Sequence, residues 1–279
     1  MTNTATPGAD RQIVQKSCLR KPLYIDGAHV RLLSLEGPAL RLEDDLGRHR
    51  YYPLARLSRI VWRGHFVCET GALAALLEAG LSVTILGQDN RPLGWLVSAS
   101  PLLLTSLQQR LEELEGLGLL HQVLEDWRLS RLRMMILRHV APQLPGTHPA
   151  DLRARTMRSR AHNLIYRRTG LEWRKIMRRY RGLLHALALQ HLQESGVEAS
   201  WLGADPTRPD LGVMLAGLLE WVLWGAALKQ RKLSLGKNWK GEIAFFEAQR
   251  GQLDQEAQLL LTDLERNLQD AIFHLRART

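Results

Sequence analysis

In the first third of the chain, apolar and polar positions alternate over short segments. Four such segments lie at residues 23–27, 30–35, 39–43 and 50–54. Between them the chain carries turn-forming residues, at Gly27, Gly37, Pro38 and Gly47. Brief alternating segments bounded by such turns are typical of β-strands. The pattern therefore predicts a small antiparallel meander at the start of the fold.

A strand, a helix and a second strand are predicted next. Residues 57–64 and 81–86 have the pattern of buried strands. Between them, an alanine and leucine helix is predicted at 70–80, with Thr70 as its candidate N-cap and Gly80 as its C-cap. Two strands joined through a helix pair in parallel. We expect one parallel crossover beside the meander, and a last strand at 93–97.

Beyond residue 98 the apolar positions recur at helical spacing. Helices are predicted at 103–114, 120–140, 148–166, 171–195, 211–230 and 241–278. The fold class is therefore α+β, with a β-rich N-terminal domain that holds one helix and an all-helical C-terminal domain. The predicted division is a flexible arm at 1–20, the β-rich domain at 21–98, a linker at 99–110 and the helical domain at 111–279.

The most apolar segment, residues 211–228, contains Glu220 as its one charge and three glycines. It is short for a bilayer span, and a central charge is costly there, so we expect a buried helix and no membrane partner. The chain starts with a polar stretch, and Cys18 and Cys68 are far apart. A cytoplasmic protein without disulfides is the expectation.

Positive charge is concentrated between residues 128 and 181. This segment holds fifteen Lys or Arg residues against Asp151 and Glu172, a formal charge of +13, whereas the whole chain carries +10. Arginine makes planar, bidentate contacts with phosphate, so nucleic acid is the expected partner. The predicted DNA-binding residues are Arg128, Arg131, Arg153, Arg155, Arg158, Arg160, Arg167, Arg168, Arg174, Lys175, Arg178, Arg179 and Arg181. Trp173 lies among them and is a candidate for stacking on a base.

Sequence motifs for other chemistry are absent. The chain contains no GxxxxGK[ST], GxGxxG, HExxH or GxSxG motif and no paired CxxC. His185 and His191 are six residues apart on one predicted helix, a poor spacing for binding a metal together. The residues themselves therefore predict neither a catalytic group nor a metal site.

Three segments of the first domain resemble a known family. They are Leu-Tyr-Ile-Asp-Gly at 23–27, the Pro-Leu entry and apolar strand at 53–65, and the Ala/Leu helix with its following strand at 70–87. Together they resemble the β-domain of the CRISPR-associated spacer integrase. In the second domain, residues 183–198 are similar to the helix and turn that precede that family's active site. The resemblance is specific in the first domain and loose in the second.

The resemblance implies a dimer paired through its β-domains, whose helical domains hold double-stranded DNA with 3′ ends. Two dimers would flank a small ferredoxin-like bridging subunit. In the family, a DNA 3′-hydroxyl attacks a phosphodiester of the repeat array, and a Glu, a His and an Asp bind a divalent metal.

The chain departs from the family at all three metal-binding positions. Asp205, or Gly203 in a shifted alignment, stands where the His is expected, and Met214 stands in place of the Asp. No Glu occurs between residues 145 and 171, where Thr156, Arg158 and Arg160 lie instead. A divalent cation needs anionic oxygen ligands and is repelled by guanidinium. We therefore expect a non-catalytic DNA-binding relative with no cofactor, pairing with itself or with an active integrase subunit.

Two alternatives stay open. Asp205 and Asp210, together with Glu220, could rebuild a shifted site for Mg²⁺ or Mn²⁺ and give an active integrase or endonuclease. The same two aspartates equally suit turn and N-cap roles beside Pro206 and Pro209. A third interpretation is a basic module that binds a membrane surface or another protein.

Overall fold

The structure is a computed structural model, and it describes residues 20–98, 105–148, 152–230 and 239–277. Strands dominate the first range. They are β1 Lys21–Asp26, β2 Val30–Glu36, β3 Ala39–Asp44, β4 His49–Pro53, β5 Leu57–Arg63, β6 Val67–Cys68, β7 Ser82–Leu86 and β8 Pro92–Leu96. They form two four-stranded sheets, of order β1-β5-β7-β8 and β4-β3-β2-β6.

The predicted meander contains three strands, not four. β2, β3 and β4 pair in antiparallel order, as expected. β1 instead pairs in parallel with β5 in the other sheet, so its assignment to the meander is wrong. The chain leaves β1 by a tight turn in which the Gly27 amide donates to the Arg63 carbonyl at 2.7 Å. A Cβ at Gly27 would lie 2.9 Å from that oxygen, so this turn requires glycine.

The predicted crossover is confirmed. Helix α1, Thr70–Glu78, connects the parallel strands β5 and β7. Gly80 ends the helix with a φ of +68°, and the Leu81 amide donates to the Leu76 carbonyl. The N-cap position is Glu69, one residue before the predicted Thr70.

The remaining described residues are mainly helical, which confirms the α+β class. The helices are α2 Ser106–Gly116, α3 Leu120–Met135, α4 Ala154–Thr169, α5 Trp173–Glu194, α6 Leu211–Lys229, α7 Trp239–Ala248 and α8 Arg250–Arg276. A π-helical turn, Ile136–Val140, extends α3. The single helix predicted at 241–278 is two helices that meet at Gln249.

The predicted linker at 99–110 overlaps the structure only in part. Residues 99–104 lie outside the described residues, as does the predicted arm up to residue 19. Residues 106–110, which the prediction placed in the linker, form the first turns of α2. The Thr105 side chain accepts a hydrogen bond from the Gln108 amide and caps that helix.

Helix α6 is the centre of the helical core, as its composition predicted. Trp221 and Trp224 are buried on it together with most of its other residues. It is long and apolar enough to span a bilayer, but 83% of its most apolar window is buried inside the structure. Most of its apolar residues therefore pack against protein, and Val213 near its start is exposed.

Helix α5 joins the two parts of the fold. It packs on β5 and β7, and Val61 and Leu86 of those strands belong to the helical core. A Cβ at Gly182 would lie 2.5 Å from Leu86 Cδ2, so glycine allows this close approach. The fully buried Arg59 of β5 donates to Gln190 of α5 at 2.6 Å.

Candidate functional site

Helices α4 and α5 carry most of the basic segment on their exposed faces. The buried residues of α4 are Met157, Ala161 and Ile165, which recur every four positions along one side. The arginines at intervening positions therefore point away from the core. On α5, residues 174, 175, 178, 179 and 181 are exposed in the same way, next to buried Met177 and Tyr180.

Five of the predicted DNA-binding residues make no side-chain hydrogen bond or ion pair with any other described residue. They are Arg153, Arg155, Arg167, Lys175 and Arg178. Exposed cations without carboxylate partners give this surface a positive electrostatic potential, which attracts anions. Its composition suits the phosphates of a nucleic acid.

Four further residues of the predicted set bind other residues of the protein. Arg160 donates to the Pro145 carbonyl at 2.6 Å, and Arg168 donates to the Leu228 carbonyl at 3.0 Å. Arg174 donates to the Ser159 hydroxyl at 2.7 Å. These three bonds leave the positive charge in place. Arg179 differs, because it pairs with Glu242 at 2.8 Å.

Two residues of the predicted set have other surroundings. Arg128 pairs with Glu125 on the same helix, and its Nε lies 2.7 Å from the carboxylate. Arg131 pairs with Asp263 of α8 at 2.9 Å. Both lie on α3, and carboxylates neutralise both. The structure therefore separates them from the unpaired arginines of α4 and α5.

A cavity of about 620 Å³ opens between β8, α4, α5 and α6. Arg158, Arg178 and Arg181 line it from the two basic helices. Arg91, at the start of the β8 hairpin strand, lines it from the β-rich domain and pairs with Asp89 at 2.9 Å. Four guanidinium groups therefore face one concave site.

Glu220 is the acidic residue among those that line this cavity. It is buried in α6 and accepts a hydrogen bond from Trp224 Nε1 at 2.9 Å. Its carboxylate lies 3.4 Å from Arg158 Nε and 4.0 Å from Arg181 Nε. The Arg158 guanidinium also lies over the Trp221 ring, 5.0 Å from its centroid. The buried carboxylate thus forms ion pairs, without hydrogen bonds, with two of the arginines.

The rest of the cavity wall is apolar or small. Trp95 of β8 forms one side, and Val213, Ala216 and Gly217 of α6 form another. His185 of α5 lines the cavity beside Trp95, with ring centroids 4.8 Å apart. Burial lowers the pKa of His185 below its ordinary value, and the nearby Asp210 carboxylate opposes that shift. The imidazole is therefore neutral at pH 7.

Asp205 and Asp210, the aspartates of the alternative shifted metal site, both bind groups close to them in sequence. Asp205 accepts hydrogen bonds from the amide and hydroxyl of Thr207 at 2.9 and 2.6 Å. Asp210 caps α6 by accepting from the Val213 amide at 2.9 Å. Both aspartates thus have the turn and N-cap roles. Within the described ranges, no three His, Cys, Asp or Glu side chains come together as a metal site would require.

The three residues that stand at the family's Glu segment, Thr156, Arg158 and Arg160, diverge. Arg158 lines the cavity, whereas Arg160 bonds to a backbone carbonyl and Thr156 is exposed. Met214 is half-buried against the helical core. Arginine therefore stands in this region where a metal site would need oxygen ligands.

Trp173 does not fit the stacking role that the sequence suggested. It is completely buried and contacts Tyr180, Trp224 and Phe245 edge-on or tilted, at centroid distances of 6.2, 6.2 and 5.7 Å. Its charged neighbours in sequence project outward, because adjacent helix positions are about 100° apart. Trp173 is a core residue.

Solved structures share this fold. A Cas1 protein from Thermotoga maritima superimposes with a TM-score of 0.63 at 14% identity, over 89% of this chain and 96% of that one. A TtCas1–DNA complex gives 0.59 at 18% identity, over 90% and 91%. The chain has the Cas1 fold. A casposase bound to an integration product gives 0.55 at 11% identity, over 87% and 91%. No protein-family model matches the sequence, and no curated protein matches it.

The Cas1 fold confirms the architecture that the resemblance implied, including the β-rich first domain followed by helices. Sequence reasoning missed Arg91, Trp95 and His185 as parts of the site. Arg91 and Trp95 belong to the β-rich domain, and nothing local in their sequence places them beside α5. Glu220 had one visible signal, because it is the single charge in an otherwise apolar helix.

Proposed function

We propose that this protein is an integrase-like DNA-binding subunit of CRISPR adaptation that holds DNA on α4 and α5 without catalysing strand transfer. One observation carries the proposal: Arg158, in the segment where the resemblance expects the metal-binding Glu, lines a cavity together with Arg178 and Arg181. The likeness of the fold to a TtCas1–DNA complex and to a casposase bound to an integration product supports a nucleic-acid partner. The five unpaired cations supply additional phosphate contacts.

The first experiment measures duplex affinity by fluorescence anisotropy between about 50 and 200 mM salt, because each phosphate contact contributes about 0.9 to the slope of log K against log salt. The test variant is Lys175→Gln with Arg178→Gln. The matched control, Arg128→Gln with Arg131→Gln, removes the same charge from the carboxylate-paired arginines of α3.

The variant on α5 should lower the slope by up to about 1.8 units and weaken binding at low salt. The α3 control should leave the slope unchanged. Equal losses in both variants would mean that overall charge, rather than this surface, binds DNA. A wild-type affinity that does not fall with salt would contradict the proposed phosphate contacts altogether.

A shifted metal site is the second candidate function, and one contact favours it. His185 Nε2 and Asp210 Oδ1 both lie against Gly212, where a Cβ would be 3.0 and 3.1 Å from them. A strand-transfer assay with Mg²⁺ or Mn²⁺ tests this candidate on wild type, Asp205→Ala and Asp210→Asn. Asparagine keeps the cap of α6 but removes the charge that a metal needs. Product from wild type that disappears in Asp210→Asn would replace the non-catalytic proposal.

The assembly partners follow from the resemblance: a second copy of this chain or an active integrase subunit, and a small ferredoxin-like bridging subunit. The second sheet has β4 and β6 as its edge strands, and these expose Tyr51 and Val67. Exposed strand edges are surfaces on which chains pair. A pull-down from the native host followed by mass spectrometry tests both partners, and recovery of neither would contradict the assembly.

A further inference from the structure

We propose that the cavity between β8, α4, α5 and α6 binds a single phosphomonoester-bearing nucleotide, with the phosphate on Arg158, Arg178 and Arg181 and the nucleoside against Trp95. The ligand chemistry has two sources, a free mononucleotide or the phosphorylated end of a DNA strand. The second source rests on the proposed DNA-binding function, and the first does not.

The arginines that line the cavity keep unused hydrogen-bond donors. Arg158 and Arg181 approach Glu220 through Nε, and their terminal amino groups make no hydrogen bond to a described residue. Arg178 has no hydrogen-bond or ion-pair partner among the described residues. Arginine binds phosphate bidentately through such groups. The site thus offers several donors to one anion.

The charge of the site matches a monoester better than a diester. Three guanidinium groups against the single Glu220 carboxylate leave a formal surplus of two positive charges, with Arg91 set aside because it pairs with Asp89. A phosphomonoester carries about −1.5 to −2 at pH 7 and has three free oxygens. An internal phosphodiester has a single charge and two free oxygens. A terminal or free phosphate therefore suits the site.

His185 gives an independent indication that the cavity takes a ligand. The residue is only 4% exposed and lines the cavity, yet neither ring nitrogen bonds to a described residue. An unbonded polar group at such depth is energetically unfavourable unless a ligand satisfies it. Neutral imidazole has one N–H donor and one acceptor nitrogen, which a phosphate oxygen and a sugar hydroxyl could satisfy.

The remaining wall has the shape and chemistry for a nucleoside. The Trp95 indole lies on one side, and Val213, Ala216 and Gly217 form a low apolar surface on α6. A Cβ at Gly217 would meet nothing within 4 Å, so the space above this helix is open. A flat ring between an indole and small side chains is a common arrangement for base binding.

Gly217 also provides a variant that blocks the cavity and spares the fold. Gly217→Leu places a side chain in the open space, and it replaces glycine inside a helix by a strong helix former. Gly217→Ala is the matched control, because it gives the same helical gain with little added volume. Gly217 does not belong to the exposed arginine surface that the duplex is proposed to contact.

The experiment uses the full chain and compares five probes. They are free deoxyadenosine monophosphate, deoxyadenosine, a short duplex with either phosphate or hydroxyl termini, and a closed dumbbell duplex of the same length. Calorimetry measures the nucleotides and anisotropy measures the DNA. We expect at least about tenfold tighter binding of the phosphorylated form of a matched pair, as several charge-assisted bonds to one dianion imply.

Gly217→Leu should abolish this preference and leave dumbbell affinity unchanged, whereas Gly217→Ala should keep both. A preference seen only with free nucleotide assigns the cavity to a small molecule, and one seen with duplex termini assigns it to strand ends. Equal binding of phosphate and hydroxyl forms in both series, or a preference that survives Gly217→Leu, would overturn the pocket. Failure to bind the dumbbell would instead count against the proposed DNA surface.

Discussion

The arginines of α3 and those of α4 and α5 belong to one basic segment, but their surroundings are opposite. On α3 and the π-helical turn that extends it, Arg131 and Arg138 pair with Asp263 and Glu256 of α8. On α4 and α5, five cations have no side-chain hydrogen bond or ion pair with any described residue. The first set stabilises helix packing, and the second set is available to an external anion. A count of charges along the sequence cannot separate these two roles.

The largest expected effect concerns the paired side. Glu256 is buried and accepts two hydrogen bonds from Arg138 at 2.8 and 2.9 Å, with His139 Nε2 3.2 Å away. Breaking a buried pair costs about 3–5 kcal/mol, and the half-exposed Arg138 can rehydrate. Glu256→Ala should therefore lower the free energy of unfolding by about 2–3 kcal/mol in urea titrations. DNA affinity of the folded variant should not change, and a parallel loss of affinity would erase the distinction between the two sets.

The next effect concerns pH and the unpaired side. Burial lowers the pKa of His185, so below about pH 6.5 the unfolded chain binds a proton that the folded chain does not. The folded protein therefore loses stability as the pH falls below that value and has no such loss above it. For one proton the slope is at most about 1.4 kcal/mol per pH unit.

Urea titrations at neutral and mildly acid pH should show this slope as a difference between wild type and His185→Gln. The variant has no group that titrates in this range at the position. If the two proteins lost stability in parallel on acidification, other groups would account for the acid sensitivity.

The smallest effect is the change in protein stability when exposed cations are removed. Lys175→Gln with Arg178→Gln removes charges that have no partner among the described residues and lie near other cations on α5. Relief of like-charge repulsion at helical spacing is worth a few tenths of a kcal/mol. The melting temperature should stay the same or rise slightly while DNA binding falls. A marked drop in stability would show that these side chains have structural partners.

Local patterns predicted much of the fold. Alternation identified the strands, and the Thr70 to Gly80 segment identified the crossover helix. Partner choice was less visible, because the sequence of β1 does not say that β5 is its neighbour. Trp173 shows the same limit at a single residue, since its basic neighbours suggested an exposed surface and the helical rotation turns it inward.

The candidate site was harder to predict than the fold. Its arginines on α4 and α5 were found from charge alone, but the same charge also selected Arg128 and Arg131, which carboxylates neutralise. Arg91 and Trp95 reach the cavity from a hairpin of the first domain. Residues from distant parts of the chain are brought together by tertiary packing, for which a single sequence has no direct signal.

Helix α5 has a mechanical consequence. It runs for 22 residues, about 33 Å, with arginines exposed near its start and every residue from 182 to 192 buried against the rest of the protein. Because α5 is one continuous helix packed on the sheet, it sets the distance from the basic surface to the sheet. Lengthening the chain between Leu96 and Ser106 would leave that distance unchanged, because the packing of α5 against β5 and β7 defines it.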